Sequence, residues 1–182
     1  RNYPLQSVGW HKDYLNRQYY VTSIYRLATG FKKIDGNIYY FNTNNGMLVT
    51  NRWIISNKKA YYATKTGAIQ TGWYRLNSKQ YYADSTGARI TGLQTINSKT
   101  YYFNAGGVVQ TGWKTLNGKR YYFAPNFSGT SYGMARTGWF NLNNNIYYAN
   151  ADGSLVTGWV LYNNNRYYLD PNNGGAAIRG KT

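Results

Sequence analysis

The chain repeats one short pattern along its whole length. An aromatic residue or leucine is followed eight or nine residues later by a Tyr-Tyr pair, and this happens eight times. The spacings between successive pairs are 20, 22, 20, 20, 20, 26 and 20 residues. Units of this length cannot bury a core alone, so the repeat predicts stacked units that share one. The first column is Trp10, Phe31, Trp53, Trp73, Leu93, Trp113, Trp139 and Trp159; the pairs begin at Tyr19, Tyr39, Tyr61, Tyr81, Tyr101, Tyr121, Tyr147 and Tyr167.

Each copy is predicted to be a β-hairpin. In the stretch TGWYRLNSKQYYA, Asn77-Ser78 lies midway between two arms of β-favouring residues. Asn and Gly tolerate the positive φ of a type I′ turn. A turn there places Trp73 opposite Tyr82, and it places Tyr74 opposite Tyr81 on the other face. The same position in other copies is Asp35-Gly36, Asn57-Lys58, Asn97-Ser98, Asn117-Gly118, Asn143-Asn144 and Asn163-Asn164.

These units predict an all-β fold of stacked hairpins, about 20 residues each. We expect a single repeat domain over 1–182 with eight hairpins and the start of a ninth at 178–181. The first copy, 1–30, is atypical and is predicted to be an N-terminal cap. The sixth copy, 113–138, is long because it carries an insertion at 124–133, which is either a tolerated surface loop or a specialised site.

The charge of the chain predicts attraction to polyanions. It holds 21 Lys and Arg against five acids, for a formal net charge of +16.

Cysteine is absent, which fits a protein that works outside a reducing cytosol. The chain contains no run of 18 apolar residues, so the sequence predicts no membrane span. The chain starts at Arg1 without a signal peptide, so we expect a mature fragment or an excised domain.

The pattern GW-x-x-x-NGK-x-YYF, seen in KTLNGKRYYF at 114–123, resembles the cell-wall-binding or choline-binding repeats of Gram-positive surface proteins. Variants of this repeat occur as glucan-binding repeats in glucansucrases and as receptor-binding repeats in clostridial toxins. The stretches at 94–103 and 114–123 look most like these two variants. The resemblance implies a left-handed β-solenoid outside the cell, with shallow sites between consecutive repeats and no catalysis.

In the choline-binding branch, the residue before the Tyr-Tyr pair is characteristically Trp, which forms one wall of an aromatic cage. Here no residue of that column is aromatic, and a cage without a wall loses much of its attraction for a cation. We also expect Arg120 or Arg166 to repel a quaternary ammonium group, so the sequence predicts against choline recognition. The column reads Gln18, Ile38, Ala60, Gln80, Thr100, Arg120, Ile146 and Arg166.

The resemblance places ligand-binding rings between neighbouring hairpins. Such a ring needs an open face for stacking on a sugar and a few hydrogen-bond donors nearby, but Trp and Tyr in stacked hairpins are first of all core residues. Both interpretations stay open for each ring. The candidates are Trp53, Trp73, Trp113, Trp139, Trp159, Tyr82, Tyr102, Tyr122, Tyr148 and Tyr168.

Lysines recur at one position in four consecutive copies, two residues before the Tyr pair, and we expect them to form a ladder along one edge. The ladder consists of Lys59, Lys79, Lys99 and Lys119, and the bases Arg75, Lys114, Arg120, Arg136 and Arg166 add to it. A ladder of constant spacing suits a linear polymer whose phosphates also repeat. The alternative is that these bases only keep the protein soluble. Solubility, however, requires a smaller net charge than this chain carries.

The predicted partner is therefore an anionic wall polymer, teichoic or lipoteichoic acid. Neutral α-glucan is one alternative. Host glycans or a protein receptor are another, and for a receptor the site would be the long sixth repeat with Phe127 and Tyr132. Basic charge among aromatics also occurs in nucleic-acid-binding proteins, but no oligonucleotide-binding motif accompanies it.

Nothing in the sequence predicts catalysis, a metal or a cofactor. The one histidine, His11, lies near Asp13, but no motif ties a serine to them. The five Asp residues fall in separate copies, and no pair is placed for glycoside hydrolysis. We predict a non-catalytic, secreted and wall-associated module that anchors a larger protein.

Overall fold

The computed structural model describes residues 7–23, 26–125 and 131–178, and within these ranges the chain is built from β-strands. One turn of 3-10 helix, Pro171–Asn173, interrupts them. The predicted all-β fold of repeated hairpins is confirmed. The strands are β1 (Gly9–Lys12), β2 (Gln18–Ser23), β3 (Arg26–Leu27), β4 (Gly30–Ile34), β5 (Asn37–Phe41), β6 (Arg52–Ser56), β7 (Lys59–Ala63), β8 (Gly72–Leu76), β9 (Lys79–Ala83), β10 (Gly92–Ile96), β11 (Lys99–Phe103), β12 (Gly112–Leu116), β13 (Lys119–Phe123), β14 (Gly138–Leu142), β15 (Asn145–Ala149), β16 (Gly158–Tyr162), β17 (Asn165–Asp170) and β18 (Ala176–Ala177).

Antiparallel pairs of these strands form eight hairpins, numbered here in chain order. Hairpins 1 to 8 are β1-β2, β4-β5, β6-β7, β8-β9, β10-β11, β12-β13, β14-β15 and β16-β17. The predicted register is confirmed in hairpin 4, where Trp73 faces Tyr82 and Tyr74 faces Tyr81. The turn residues Asn77 and Ser78 have φ of 49° and 62°, as a type I′ turn requires. All seven predicted turns have positive φ at both central residues.

Hairpin 1 differs from the others, as its sequence predicts. A longer loop joins its strands, and the Asp13 carboxylate accepts hydrogen bonds from the backbone N–H groups of Leu15 and Arg17. Strand β3 pairs with β2 and adds a third strand to this sheet.

The connectors after hairpins 2, 3, 4, 6 and 7 each tie their hairpin to the hairpin before. The backbone N–H of Leu48, which follows hairpin 2, donates to the carbonyl of Gln18 in hairpin 1 at 2.8 Å. Arg89 repeats this bond to Ala60, and Leu155 repeats it to Arg120, each at 2.8 Å. The acceptor is always the residue before the Tyr pair. Within each of the chain's two compact units, these hairpins are thus joined by backbone as well as by side chains.

The chain divides into two compact units, 1–90 and 91–182. Hairpins 1 to 4 belong to the first unit and hairpins 5 to 8 to the second. Within each unit the same alternation of faces builds the core.

One face of each hairpin, the inner face, carries the first Tyr of the pair and the residue two positions later. The residue two positions after the first Tyr is buried in every hairpin, with Phe41, Phe103 and Phe123 at 0% exposure. The first Tyr is buried in five of the eight hairpins. The opposite face, the ring face, carries the Trp and the second Tyr. In the first unit the ring of Trp53 lies 5.6 Å from Tyr81 on the inner face of the next hairpin, and in the second unit Trp113 lies 5.1 Å from Tyr147. The ring face of one hairpin therefore packs on the inner face of the next.

Two predictions about the chain fall partly outside the described residues. Most of the predicted ninth copy, 179–181, lies there, as do residues 126–130 of the insertion in the sixth copy. The left-handed winding and the single domain remain predictions.

Gly87 allows a connector to pack closely, and replacing it with alanine tests that packing. Gly87 has φ +83°, and an added Cβ would lie 2.3 Å from Cγ2 of the buried Ile69. Gly72 in the same copy has φ +66°, and nothing lies within 4 Å of its added Cβ. We expect both variants to lose about 1–2 kcal/mol from the left-handed backbone, and we expect Gly87→Ala to lose about 1–3 kcal/mol more from overpacking.

Urea unfolding followed by tryptophan fluorescence measures this difference in the free energy of unfolding. Equal losses in the two variants would contradict the close packing at Gly87.

Candidate functional site

The four ladder lysines occupy one structural position. Each begins the second strand of its hairpin, directly after the turn, and all four are exposed. Their cross-strand partners are Ser56, Leu76, Ile96 and Leu116. This position is at the outer tip of the hairpin, so the ammonium groups reach solvent.

Two of the four ladder lysines, Lys59 and Lys119, interact with an acidic residue. Lys119 Nζ lies 3.4 Å from Asp152 Oδ2 in the next connector, with side chains 60% and 53% exposed, so the pair is weak. Lys59 acts electrostatically on Asp84, which holds the matching connector position. Within the described ranges the ion pairs are this one and Arg17–Asp13, so the bases far outnumber their acidic partners.

The two connector aspartates are held ionised by their own loops. The Ser154 hydroxyl and backbone N–H donate to Asp152 and, with Lys119, hold the pKa of this carboxyl below its usual range. Partial burial raises the pKa of Asp84. Hydrogen bonds from Thr86 and Ala88, together with Lys59, outweigh burial, so the pKa of Asp84 also lies below its usual range.

The aromatic grooves lie where a ring face meets the next inner face. In five of these grooves, all within one unit or the other, the connector bond brings together two bordering positions. One is the residue before the Tyr pair, and the other is the connector residue that follows the next hairpin. These pairs include Gln18 with Leu48, Ile38 with Ile69, Ala60 with Arg89, Thr100 with Ala135, and Arg120 with Leu155.

The groove between hairpins 7 and 8 contains a cavity of about 890 Å³. The Trp139 ring lies 4.9 Å from Tyr167 and 5.6 Å from Tyr162 of hairpin 8, and Ile146 and Ala177 border the same cavity. The Trp139 indole N–H is buried without a hydrogen-bond acceptor among the described residues. This groove offers ring faces to a ligand.

The position of Arg120 corrects the sequence-based prediction. We expected it among the bases that add to the ladder, but its guanidinium carbon lies 3.9 Å from the ring centroid of Trp113. Its Nη1 also donates to the carbonyl of Gly174 at 2.6 Å. Because the side chain is half-buried and engaged by its own chain, Arg120 is not an exposed base.

Arg89 was missed by the sequence reasoning. Its guanidinium carbon lies 5.0 Å from the Trp53 ring centroid, and its Nε is buried without a partner among the described residues. The sequence did contain a signal for Arg89, because every other copy has an apolar residue at this connector position. The other residues there are Leu48, Ile69, Val109, Ala135, Leu155 and Ala177.

The remaining candidates divide by exposure. Trp159 is 71% exposed, whereas the other four candidate Trp residues and all five candidate Tyr residues are half-buried. Arg75, Arg136 and Arg166 are exposed and Lys114 is half-buried. Arg166 lines the cavity between hairpins 7 and 8. Tyr132 is half-buried, and Phe127 lies outside the described residues.

The His11 ring bonds the carbonyl of Ser7 at 2.7 Å and stacks on Tyr19, while the Asp13 carboxylate pairs with Arg17. These contacts serve the first hairpin. The described part of the chain contains no group of three His, Cys, Asp or Glu that could hold a metal ion. It also contains no helix long and apolar enough to cross a membrane.

Comparison with protein families decides the relationship. A choline-binding repeat model matches residues 90–129 and 136–180, and a cell wall binding repeat model matches 29–44 and 71–88. The chain belongs to the family of choline-binding and cell-wall-binding repeats. The resemblance predicted from the Tyr pairs and hairpin turns is thereby confirmed for this repeat protein.

Solved structures of choline-binding proteins from Streptococcus pneumoniae resemble this repeat protein. CbpJ of strain TIGR4 is 30% identical with a TM-score of 0.78, and the match covers 94% of this chain and 65% of CbpJ. CbpF, solved with a tetrasaccharide-pentapeptide peptidoglycan analogue, is 27% identical with a TM-score of 0.76, over 95% of this chain and 58% of CbpF. The choline-binding domain of CbpL is 27% identical with a TM-score of 0.58, over 83% of this chain and 78% of that domain.

The repeat protein thus spans less than two-thirds of the length of CbpJ and CbpF. No curated protein sequence matches it significantly.

The lowered pKa of Asp84 predicts a pH dependence of stability. A carboxyl whose folded pKa lies below its unfolded value of about 3.9 stabilises the fold above that pH, and this contribution disappears as the pH falls through the folded pKa. We expect Asp84→Asn to be less stable than the parent chain at pH 7. The difference should shrink as the pH falls from about 4 towards 2.

Urea unfolding at several pH values measures this difference. Asp35→Asn, a turn residue, removes the same charge and is the matched control. A stability difference for Asp84→Asn that stays constant down to pH 2 would show that its charge does not hold the connector.

Proposed function

We propose that this chain is a non-catalytic module that anchors a secreted Gram-positive protein to an anionic wall polymer, teichoic or lipoteichoic acid. The observation that carries the proposal is the exposed lysine at one fixed hairpin position in successive copies. The names of the related pneumococcal proteins and the wall-binding repeat models support a place at the cell wall. The module would act outside the cell, with its hairpins wound as a left-handed solenoid.

Single contacts of this kind are weak. An exposed ammonium paired with an anionic group contributes about 0.2–1 kcal/mol. Several such contacts on one polymer raise the effective concentration of each next contact, so avidity supplies the hold. Because the contacts are exposed, salt should screen them.

Binding to isolated Gram-positive walls tests the anchor. We expect the chain to bind intact walls at about 50 mM salt and to release at about 500 mM. We also expect binding to fall after chemical removal of teichoic acids. Binding that survives both treatments would contradict an anionic polymer ligand.

A charge-matched pair of variants tests the ladder itself. The ladder variant combines Lys59→Gln, Lys79→Gln and Lys99→Gln, and the control combines Lys12→Gln, Lys32→Gln and Lys33→Gln, which are exposed lysines of hairpins 1 and 2. We expect the ladder variant to bind walls about tenfold more weakly and the control to lose much less. Equal losses would mean that net charge, not the ladder position, drives binding.

The groove between hairpins 7 and 8 favours a second candidate function, binding of a neutral α-glucan. Trp159 is 71% exposed, and the Trp139 indole N–H is buried without an acceptor among the described residues. A sugar could stack on the exposed ring of Trp159. Binding to dextran that persists at about 500 mM salt and falls in Trp159→Ala would favour this function over the anionic polymer.

A further inference from the structure

In the described part of the chain, two Trp rings are already covered by a cation of the same chain. In the first unit the Arg89 guanidinium lies over Trp53 at 5.0 Å, and in the second unit the Arg120 guanidinium lies over Trp113 at 3.9 Å. Both distances are within the range of about 6 Å in which a ring face attracts a cation.

The two arginines come from different sequence positions. Arg89 is the connector residue of its groove, and the opposite bordering residue is the small, buried Ala60, which leaves room for the long side chain. Arg120 is the residue before the Tyr pair, and the connector residue opposite it is Leu155. Each of these grooves therefore receives one arginine, from one border or the other.

The equivalent groove between hairpins 7 and 8 has no arginine at either of its two bordering positions. Its two bordering residues are Ile146 and Ala177, and its cavity of about 890 Å³ is open. Ile146 stands one copy after Arg120 at the same position of the repeat. Among these three grooves, the two with a border arginine have a covered Trp ring, whereas the groove bordered by Ile146 and Ala177 has an open cavity, which Arg166 also lines.

The contacts of Arg120 fix its guanidinium on the ring. Its Nη1 donates to the Gly174 carbonyl at 2.6 Å, and its own carbonyl accepts from Leu155 N–H at 2.8 Å. A ligand cation that approached Trp113 would have to displace this bond and would meet a like charge.

We propose that Arg89 and Arg120 are built-in ligands that close their grooves to external cations, and that they thereby determine which grooves of the chain can bind. This inference goes beyond the proposed wall anchor, because it concerns the rings and holds for either wall ligand. It predicts that removing the arginine creates a cation site on a Trp ring where the parent chain has none.

Chemical rescue tests the prediction at Trp113. The variant Arg120→Ala is titrated with methylguanidinium, and the indole N–H resonance of Trp113, assigned with Trp113→Phe, reports binding. We expect a saturable shift in Arg120→Ala and a response at least about tenfold weaker in the parent chain, since a desolvated cation–π contact supplies that difference. Arg136→Ala, which removes an exposed arginine, should behave as the parent chain does.

Two further variants keep the test decisive. Arg120→Lys retains a cation and should stay closed to the probe. Arg89→Ala, read at the indole of Trp53, repeats the test in the other unit if Arg120→Ala does not fold by circular dichroism. A parent chain whose Trp113 and Trp53 resonances respond as strongly as those of the variants, or folded variants that do not respond at all, would overturn the proposal.

Discussion

The structure depends on the packing of a Trp on the Tyr of the next hairpin. A two-stranded hairpin is marginal in water, and its ring face would expose several large aromatic side chains. Edge-to-face packing on the inner face of the next hairpin covers part of these rings, as for Trp53 on Tyr81 and Trp113 on Tyr147. The connector bond, such as Leu155 N–H to the Arg120 carbonyl, fixes the distance between the two faces. Each hairpin is therefore stable because of its neighbours.

This arrangement separates the roles of rings and charges. Most rings are needed to stack the hairpins, and among the described residues Trp53 and Trp113 are also covered by arginine. The lysines after the turns lie outside the stack and add little to it, so their charge is available to a partner. A long polymer can touch several such tips at once, whereas an open groove suits a single small group. The groove beside Trp139 and Trp159 is one described place in which rings remain accessible.

Much of the fold was predictable because it depends on local rules. The position of Asn77-Ser78 between two arms fixes the turn, and the two-residue period then fixes which side chains share a face. The exposure of the ladder lysines follows from the same register. The direction of Arg120 was not predictable, because it depends on Trp113 within its own hairpin and on Gly174 two copies later. Arg89 reaches Trp53 only through the connector bond, which the periodicity does not reveal.

The most direct test of the account is an NMR titration of the chain with purified lipoteichoic acid that follows lysine side chains and Trp indoles together. The account predicts saturable shifts at Lys59, Lys79 and Lys99, while the indoles of Trp53 and Trp113 stay unchanged because they are covered. These lysine shifts should vanish at high salt. Shifts concentrated at Trp53 and Trp113, with the lysines unaffected, would contradict the assignment of binding to the bases and of these rings to the stack.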